Sequence, residues 1–270
     1  MEQSKIPSKF ELYQKSVQNA KKEAEFFRKV YRLIYNKVPE TFREDFCGTG
    51  LLSCEWVKSN VMNSAVGLDF DKETLEWGRD NNINNLTSGA DRIKLLEQNV
   101  LDEFDQSQKF DIICSLNYSH FLLQKRKEIF KYFSNMVQNL QTKGIFILDF
   151  YGGSHIFTDH KYQRSKSSSF YEFSGKKMNI LNNQSACSLN YKIKKNKYKP
   201  MFSFNFRIYS IIELREALEE VGLNGFKLYI KEIEGDDEDD YSEYQEVEID
   251  GEYYPESERL TGYLIAYKSY

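Results

Sequence analysis

Proline and glycine are scarce in this 270-residue chain, at 4 and 14 residues, which excludes a collagen-like repeat and argues against disorder along its length. Cysteine is rare too. Cys47, Cys54, Cys114 and Cys187 include no CxxC pair and are too few for a secreted disulfide scaffold, so reduced thiols are expected. The three histidines join no His/Cys/Asp cluster with metal-ligand spacing, so no metal is expected. Neither charge dominates: 37 basic against 41 acidic residues leave a net −4, too near neutral to imply a dedicated nucleic-acid binder or an acidic solubilising tail. No apolar run approaches the roughly 20 residues of a membrane span. The opening "MEQSKIPSKFELYQ" lacks the hydrophobic core of a signal peptide, so a cytoplasmic protein with no membrane partner is expected. What the chain does have is aromatic bulk, 19 Tyr and 20 Phe, and the length of one large domain, alone or with an insertion.

Apolar residues at three- and four-residue steps, from Phe10 and Tyr13 through Val17, Ala20, Ala24 and Phe27 to Ile34, predict a helix over residues 10–36, ended by Pro39. Strand-like and helix-like segments then alternate. "TFREDF", "SAVGLDF", "RIKLLEQNV", "FDIICSLN" and "GIFILDF" read as strands. "LLSCEWVKSN", "DKETLEWGRDNNINN" and "KRKEIFKYFSNMVQNLQTKG" read as helices, the second capped by Asp71 and the third stopping at Gly144. Such alternation means parallel strands with crossover helices on both faces. Beyond residue 151 the pattern changes. Residues 161–207 hold eleven Lys or Arg against Glu172 alone, within pieces such as "SLNYKIK" and "MFSFNFRIY" that read as antiparallel strands. Residues 232–258 hold fourteen Asp or Glu and no base, and "GYLIAYKSY" reads as a closing strand. The charge blocks are either solvated loops or segments that attract one another over a site, loosely, because salt screens exposed charge. The expected organisation is an N-terminal helical cap (1–38), an α/β core (39–153), a basic β-rich insertion acting as a lid (154–208), and a C-terminal helix and strands completing the sheet (209–270).

The stretch "REDFCGTGLLS" joins the first strand to the first crossover helix. Ligands of doubly wound sheets sit at the carboxyl ends of the strands, where strand order reverses. Glycine is needed there because backbone must come within contact distance of the ligand. Asp69 stands nineteen residues after Gly50, at the end of the second strand, where a carboxylate can accept from both hydroxyls of a ribose. A dinucleotide cradle would need G-x-G-x-x-G, and Ser53 stands in its third glycine position. The pattern E/D-x-G-x-G-x-G of S-adenosylmethionine sites is met at Glu44, Gly48 and Gly50 and missed at Phe46.

With "ELYQKSVQ" and "YYPESERLTGYLIAY", this loop resembles that of class I S-adenosylmethionine-dependent methyltransferases, in particular a subgroup with an "LREDFCGT" loop. The resemblance implies a Rossmann-like fold with a seven-stranded, mostly parallel sheet and an antiparallel β insertion after strand 5. It implies S-adenosyl-L-methionine as cofactor. Glu44 would orient the loop and meet the methionyl ammonium. Cys47, Gly48, Thr49 and Gly50 would pass beneath the ligand. Asp69 would take the ribose, Phe70 would lie against the adenine, and Asn99 and Val100 would meet the adenine edge. Tyr13 or Arg43 would face the methionine carboxylate. Plainer readings stand beside these: a tight turn at the glycines, a helix cap at Asp69, a turn residue at Asn99, core packing for Tyr13, a local ion pair for Arg43.

Methyl transfer is an in-line displacement from an activated donor, so the protein must align, desolvate and, where needed, remove a proton. The resemblance places the acceptor beyond the fourth strand. There Asn117 could present a carbonyl, Tyr118 could lie near the sulfonium, and His120 could act as a base. The plainer readings are a helix start for Asn117 and Tyr118 and a structural histidine for His120. His155 and His160 are weaker candidates, and Tyr151, Gly152 and Gly153 would flank the pocket. The expected acceptor is a small molecule or a protein side chain. Nucleic acid is the lesser alternative, suggested by the interleaved "YKIKKNKYK". Two rival readings are a non-catalytic binding or scaffold protein of the same fold and an NAD-dependent oxidoreductase.

Overall fold

In the computed structural model, which describes residues 7–166, 169–192, 199–233 and 244–269, the "strand, helix" alternation becomes one large sheet. Strands β1 (Thr41–Asp45), β2 (Ser64–Asp69), β3 (Ile93–Glu97), β4 (Phe110–Ser115) and β5 (Leu140–Gly152) pair in parallel in the order β5-β4-β1-β2-β3. Their apolar runs are buried on both faces, as parallel strands require. Four strands, β6 (His160–Lys166), β7 (Ser169–Gly175), β8 (Gln184–Lys192) and β9 (Lys199–Arg207), form a separate antiparallel sheet in chain order. The chain then returns through β10 (Gly225–Glu232), β11 (Gln245–Val247) and β12 (Leu260–Tyr267). β12 pairs antiparallel with β5, β10 lies beyond it, and β11 forms the edge. The main sheet therefore has eight strands rather than the expected seven, the short β11 being the addition.

The strand order turns at β1, which has β4 on one side and β2 on the other. The carboxyl ends of β1 and β4 thus open a crevice at the switch point.

The helix expected over 10–36 is two helices, α1 (Lys9–Ser16) and α2 (Ala20–Tyr35), because its halves pack on different sheets. Leu12, Tyr13 and Val17 join Tyr171, Leu189 and Tyr191 of the second sheet. Ala20, Ala24, Phe27, Val30 and Tyr31 join the core beneath β1 and β4. The Ser16 hydroxyl, 2.6 Å from Tyr191 Oη, fixes the break. Crossover helices α3 (Leu51–Lys58), α4 (Lys72–Gly78) and α5 (Arg126–Gln138) follow β1, β2 and β4, and α6 (Ile211–Glu220) precedes β10. α5 stops at Gln138 rather than at Gly144. Asn139 is buried there, accepting from Arg43 Nη1 at 3.0 Å and donating to the Asp105 and Gln108 carbonyls, so the chain leaves the helix at once for β5.

The described ion pairs do not join the two charge blocks. Lys161 and Lys176 pair with Glu172 and Asp159, while Glu246 and Asp250 pair with Lys227 and Arg215. Residues 234–243 of the acidic block and 193–198 of the basic stretch lie outside the described residues. No described helix is long and apolar enough to cross a membrane. No group of three or more His, Cys, Asp or Glu among the described residues could hold a metal ion.

Candidate active site

The turn after β1 is held from three sides. Phe46, Gly48 and Gly50 all adopt left-handed backbone, with φ of 56°, 54° and 66°. Gly48 N–H donates to Asp69 Oδ2 at 2.8 Å, which ties the turn to the end of β2. Thr49 accepts from Gln14 Nε2 of α1 at 2.5 Å through its hydroxyl and from Asn82 Nδ2 at 2.9 Å through its carbonyl. α4 comes so close that a Cβ on Gly78 would sit 2.3 Å from the Thr49 carbonyl oxygen. A Cβ on Gly48 would meet only Thr74 Cγ2, at 3.8 Å, so the space above that residue is open.

Phe46 keeps the backbone conformation of the glycine slot it occupies while carrying a side chain. Its ring packs edge-on to Tyr132 at 5.7 Å. A left-handed non-glycine residue costs about 1–2 kcal/mol, which this contact offsets. Cys47 is buried, and burial pushes its thiol well above the usual range, so it is inert. Glu44 accepts from the Ser53 amide at 3.0 Å and the Ser53 hydroxyl at 2.7 Å, anchoring the first turn of α3; burial pushes its carboxyl up to about 8. Ser53, which reads in the sequence only as a missing glycine, is thus the partner of Glu44.

Arg43 is not part of this surface. Strand alternation turns it to the opposite face from Glu44, where its Nε lies 2.8 Å from Asp45 Oδ1 and its Nη2 donates to Oδ2 at 3.0 Å. Tyr132 Oη donates to the same carboxylate at 2.9 Å. The local ion pair is the observed role, buried and structural.

Asp69 accepts from the Gly48 and Asp71 amides, and Asp71 separately caps α4 through the Glu73 and Thr74 amides. Burial raises the Asp69 carboxyl and the two amides work against that rise. Phe70 beside it is 67% exposed, its ring open to solvent. At the end of β3, Asn99 Oδ1 accepts from Leu101 N–H at 2.9 Å in its own turn, and Val100 is buried. One acceptor position of the Asn99 oxygen, expected at the adenine edge, is thus taken within its own turn.

Beyond β4 a cavity of about 170 Å³ opens between α1, α2, the main sheet and the second sheet. Tyr13, Asn117, Tyr118, Tyr151 and His155 line it, with Phe173, Leu189, Phe204 and Phe206 of the second sheet as its far wall. Asn117 and Tyr118 are both left-handed, with φ of 55° and 59°, strain of order 1–3 kcal/mol each. The strain turns Tyr118 N–H onto Asp149 Oδ1 at 2.9 Å. Asp149, near the end of β5, also lines the cavity, and burial raises its carboxyl well above the carboxylate range. The sequence held a signal for it: it is the one charged side chain in "GIFILDF", at the carboxyl end of a buried parallel strand.

His120 does not reach this space. It is buried in a short turn against Phe121, neither ring nitrogen has a hydrogen-bond partner among the described residues, and burial pushes it down to about 3. It is a structural histidine. His155 lines the cavity instead, its Nδ1 donating to the Glu258 carbonyl at 2.9 Å, and burial lowers it to about 4. Gly153 is required nearby, since a Cβ would lie 2.2 Å from that same carbonyl. His160 is buried between Tyr162 and Phe173, beside the cavity rather than on it.

No family model matches the chain, and no curated protein matches it in sequence. Solved structures do match in fold over nearly the full length. An S-adenosylmethionine-dependent methyltransferase from Clostridium acetobutylicum is 18% identical, covering 96% of this chain and 97% of its own, with a TM-score of 0.68. The CcbJ methyltransferase from Streptomyces caelestis is 11% identical, covering 98% and 100%, with a TM-score of 0.70. CalS10, an amino pentose methyltransferase from Micromonospora echinaspora solved with S-adenosylmethionine bound, is 12% identical, covering 95% and 94%, with a TM-score of 0.67. The chain has the fold of class I methyltransferases, its antiparallel β insertion included.

Proposed function

We propose that the protein is an S-adenosylmethionine-dependent methyltransferase acting on a small molecule. The observation that carries this reading is the open space above Gly48, whose amide is tied to Asp69, at the same end of the paired strands β1 and β4 as the cavity at Asn117 and Tyr118. A Cβ at Gly48 would intrude on that space, so the residues present fit the donor. Gly48 and Gly50 would let backbone lie against it, Asp69 would accept from its ribose hydroxyls, and Phe70 would cover its base. Glu44 holds α3 in register with the loop through Ser53. When bound, the donor supplies a methyl group already activated for displacement, so the chain's work is alignment and exclusion of water.

The small-molecule reading rests on the size of the cavity and on its closure by side chains of the second sheet. That sheet then serves as a lid, and residues 154–208 decide the acceptor. Tyr13 belongs to the cavity wall, where it packs edge-on to Phe202 at 5.2 Å, and helps exclude water above the donor.

The test is calorimetry with S-adenosylhomocysteine on the wild type and Asp69→Ala, with methyl-labelled donor consumption measured alongside. Micromolar binding that weakens at least tenfold in the variant is expected. Absence of binding by the wild type would remove the reading.

A further inference from the structure

We infer that Asp149 selects an amine acceptor and takes the proton that its nitrogen must lose; this rests on the methyl-transfer reading. The residue stands where β5 meets the cavity, beside the β4 turn that would face the donor's methyl group. The Tyr118 amide occupies one acceptor position of the carboxylate at 2.9 Å, and the Asn117 amide also faces it. A carboxylate offers about four such positions, so it can still accept from a ligand in the cavity. Two consecutive left-handed residues build this arrangement, which an ordinary turn would not produce.

The surroundings favour a cation over a neutral hydroxyl. Glu23 of α2 lines the same cavity, as do Tyr13 from α1, Tyr118, Tyr151 and Tyr263 of β12, aromatic side chains of the kind that attract cations. Two basic side chains line the cavity: Arg259, which lies over the Tyr162 ring of the second sheet at 3.8 Å, and His155, whose Nδ1 donates to the Glu258 carbonyl. An ammonium beside Asp149 supplies the counter-charge that burial otherwise denies it, so ligand and carboxylate ionise together.

An ammonium has no lone pair to attack with. One N–H proton passes to the Asp149 carboxylate, the freed pair forms the nitrogen–carbon bond, and the pair of the broken carbon–sulfur bond stays on sulfur. The product leaves as the N-methylated ammonium, and the proton held by Asp149 goes to solvent. An alcohol would gain much less from the same carboxylate.

The experiment compares cyclohexylamine with cyclohexanol, a pair matched in shape, binding to the S-adenosylhomocysteine complex of the wild type and of Asp149→Asn. Asn keeps an oxygen for the Tyr118 amide and loses the charge. The amine is expected to bind the wild type at least tenfold more tightly than the alcohol at pH 7. Its affinity should fall as pH falls and Asp149 protonates, while that of the alcohol stays level. Asp149→Asn should bind the two probes alike and keep its affinity for S-adenosylhomocysteine within threefold. Equal binding of the two probes by the wild type would overturn the inference, as would a preference for amine surviving in the variant. Should the variant not fold, the pH dependence of the wild type for the two probes decides alone. Failure of the wild type to bind S-adenosylhomocysteine would overturn the underlying reading and this inference with it.

Discussion

The turn at residues 46–50 and the cavity beyond Tyr118 lie side by side and are built by opposite means. The turn offers backbone: three left-handed residues, the Gly48 amide aimed at Asp69, and an open space over Gly48. The cavity offers side chains, drawn from α1, α2, the ends of β4 and β5, the second sheet and β12. A site made of backbone depends on a few consecutive residues. A site made of side chains depends on how distant segments pack. The first kind suits a ligand that does not vary and the second a ligand that does.

Four substitutions press on this division, from the largest expected effect to the smallest. Arg43→Ala, beside the turn in sequence, leaves the buried Asp45 carboxylate without its counter-charge. Urea denaturation should show a loss of about 3–5 kcal/mol, while folded protein binds S-adenosylhomocysteine as before. A large loss of affinity without a loss of stability would place Arg43 at the donor after all.

Gly78→Ala attacks the turn from outside. Helix propensity favours the alanine by about 1 kcal/mol, but the Cβ would sit against the Thr49 carbonyl, which is backbone and cannot swing away. A net loss of about 1–2 kcal/mol from overpacking is expected, with S-adenosylhomocysteine affinity down at least tenfold in calorimetry. Unchanged affinity would mean that the turn's position is not what the donor reads.

His120→Leu should disturb neither site. The histidine is neutral in the folded protein and held near 3, against an ordinary value near 6.5 in the unfolded chain. Above pH 6.5 it makes no pH-dependent contribution. Below that, the unfolded chain binds the proton first, so stability is lost as pH falls towards 3, by about 1.4 kcal/mol per unit. The leucine variant lacks this dependence, so its advantage over wild type should grow to about 2 kcal/mol by pH 5, read from urea midpoints at several pH values. A constant difference would mean that His120 is not buried neutral.

Phe46→Gly has the smallest expected effect. Relief of left-handed strain, about 1–2 kcal/mol, is set against the lost ring contact with Tyr132 and the added chain entropy. A net loss of about 1 kcal/mol is expected, with donor affinity within twofold of wild type, because the glycine pattern is read through backbone shape.

The same division explains what the sequence could and could not disclose. The parallel core was legible because each strand and helix announces itself locally, and so was the turn, whose glycines and strand-end acid are close in the chain. The break at Val17–Asn19 was not, since the hydroxyl partner of Ser16 lies at Tyr191. Nor was the end of α5, set by the tie between Asn139 and Arg43. His120 and His155 look alike as letters; packing alone sends one into the core and the other to the cavity. Asp149 went unread because its meaning comes from Tyr118, across a strand pair, though its place in an apolar run was visible.

The most direct test of the account is a crystal structure with S-adenosylhomocysteine. The account predicts the ribose hydroxyls on Asp69, the ligand's chain over Gly48, and its sulfur facing the space between Asn117 and Asp149. A ligand seated elsewhere, or a sulfur turned away from the cavity, would contradict it.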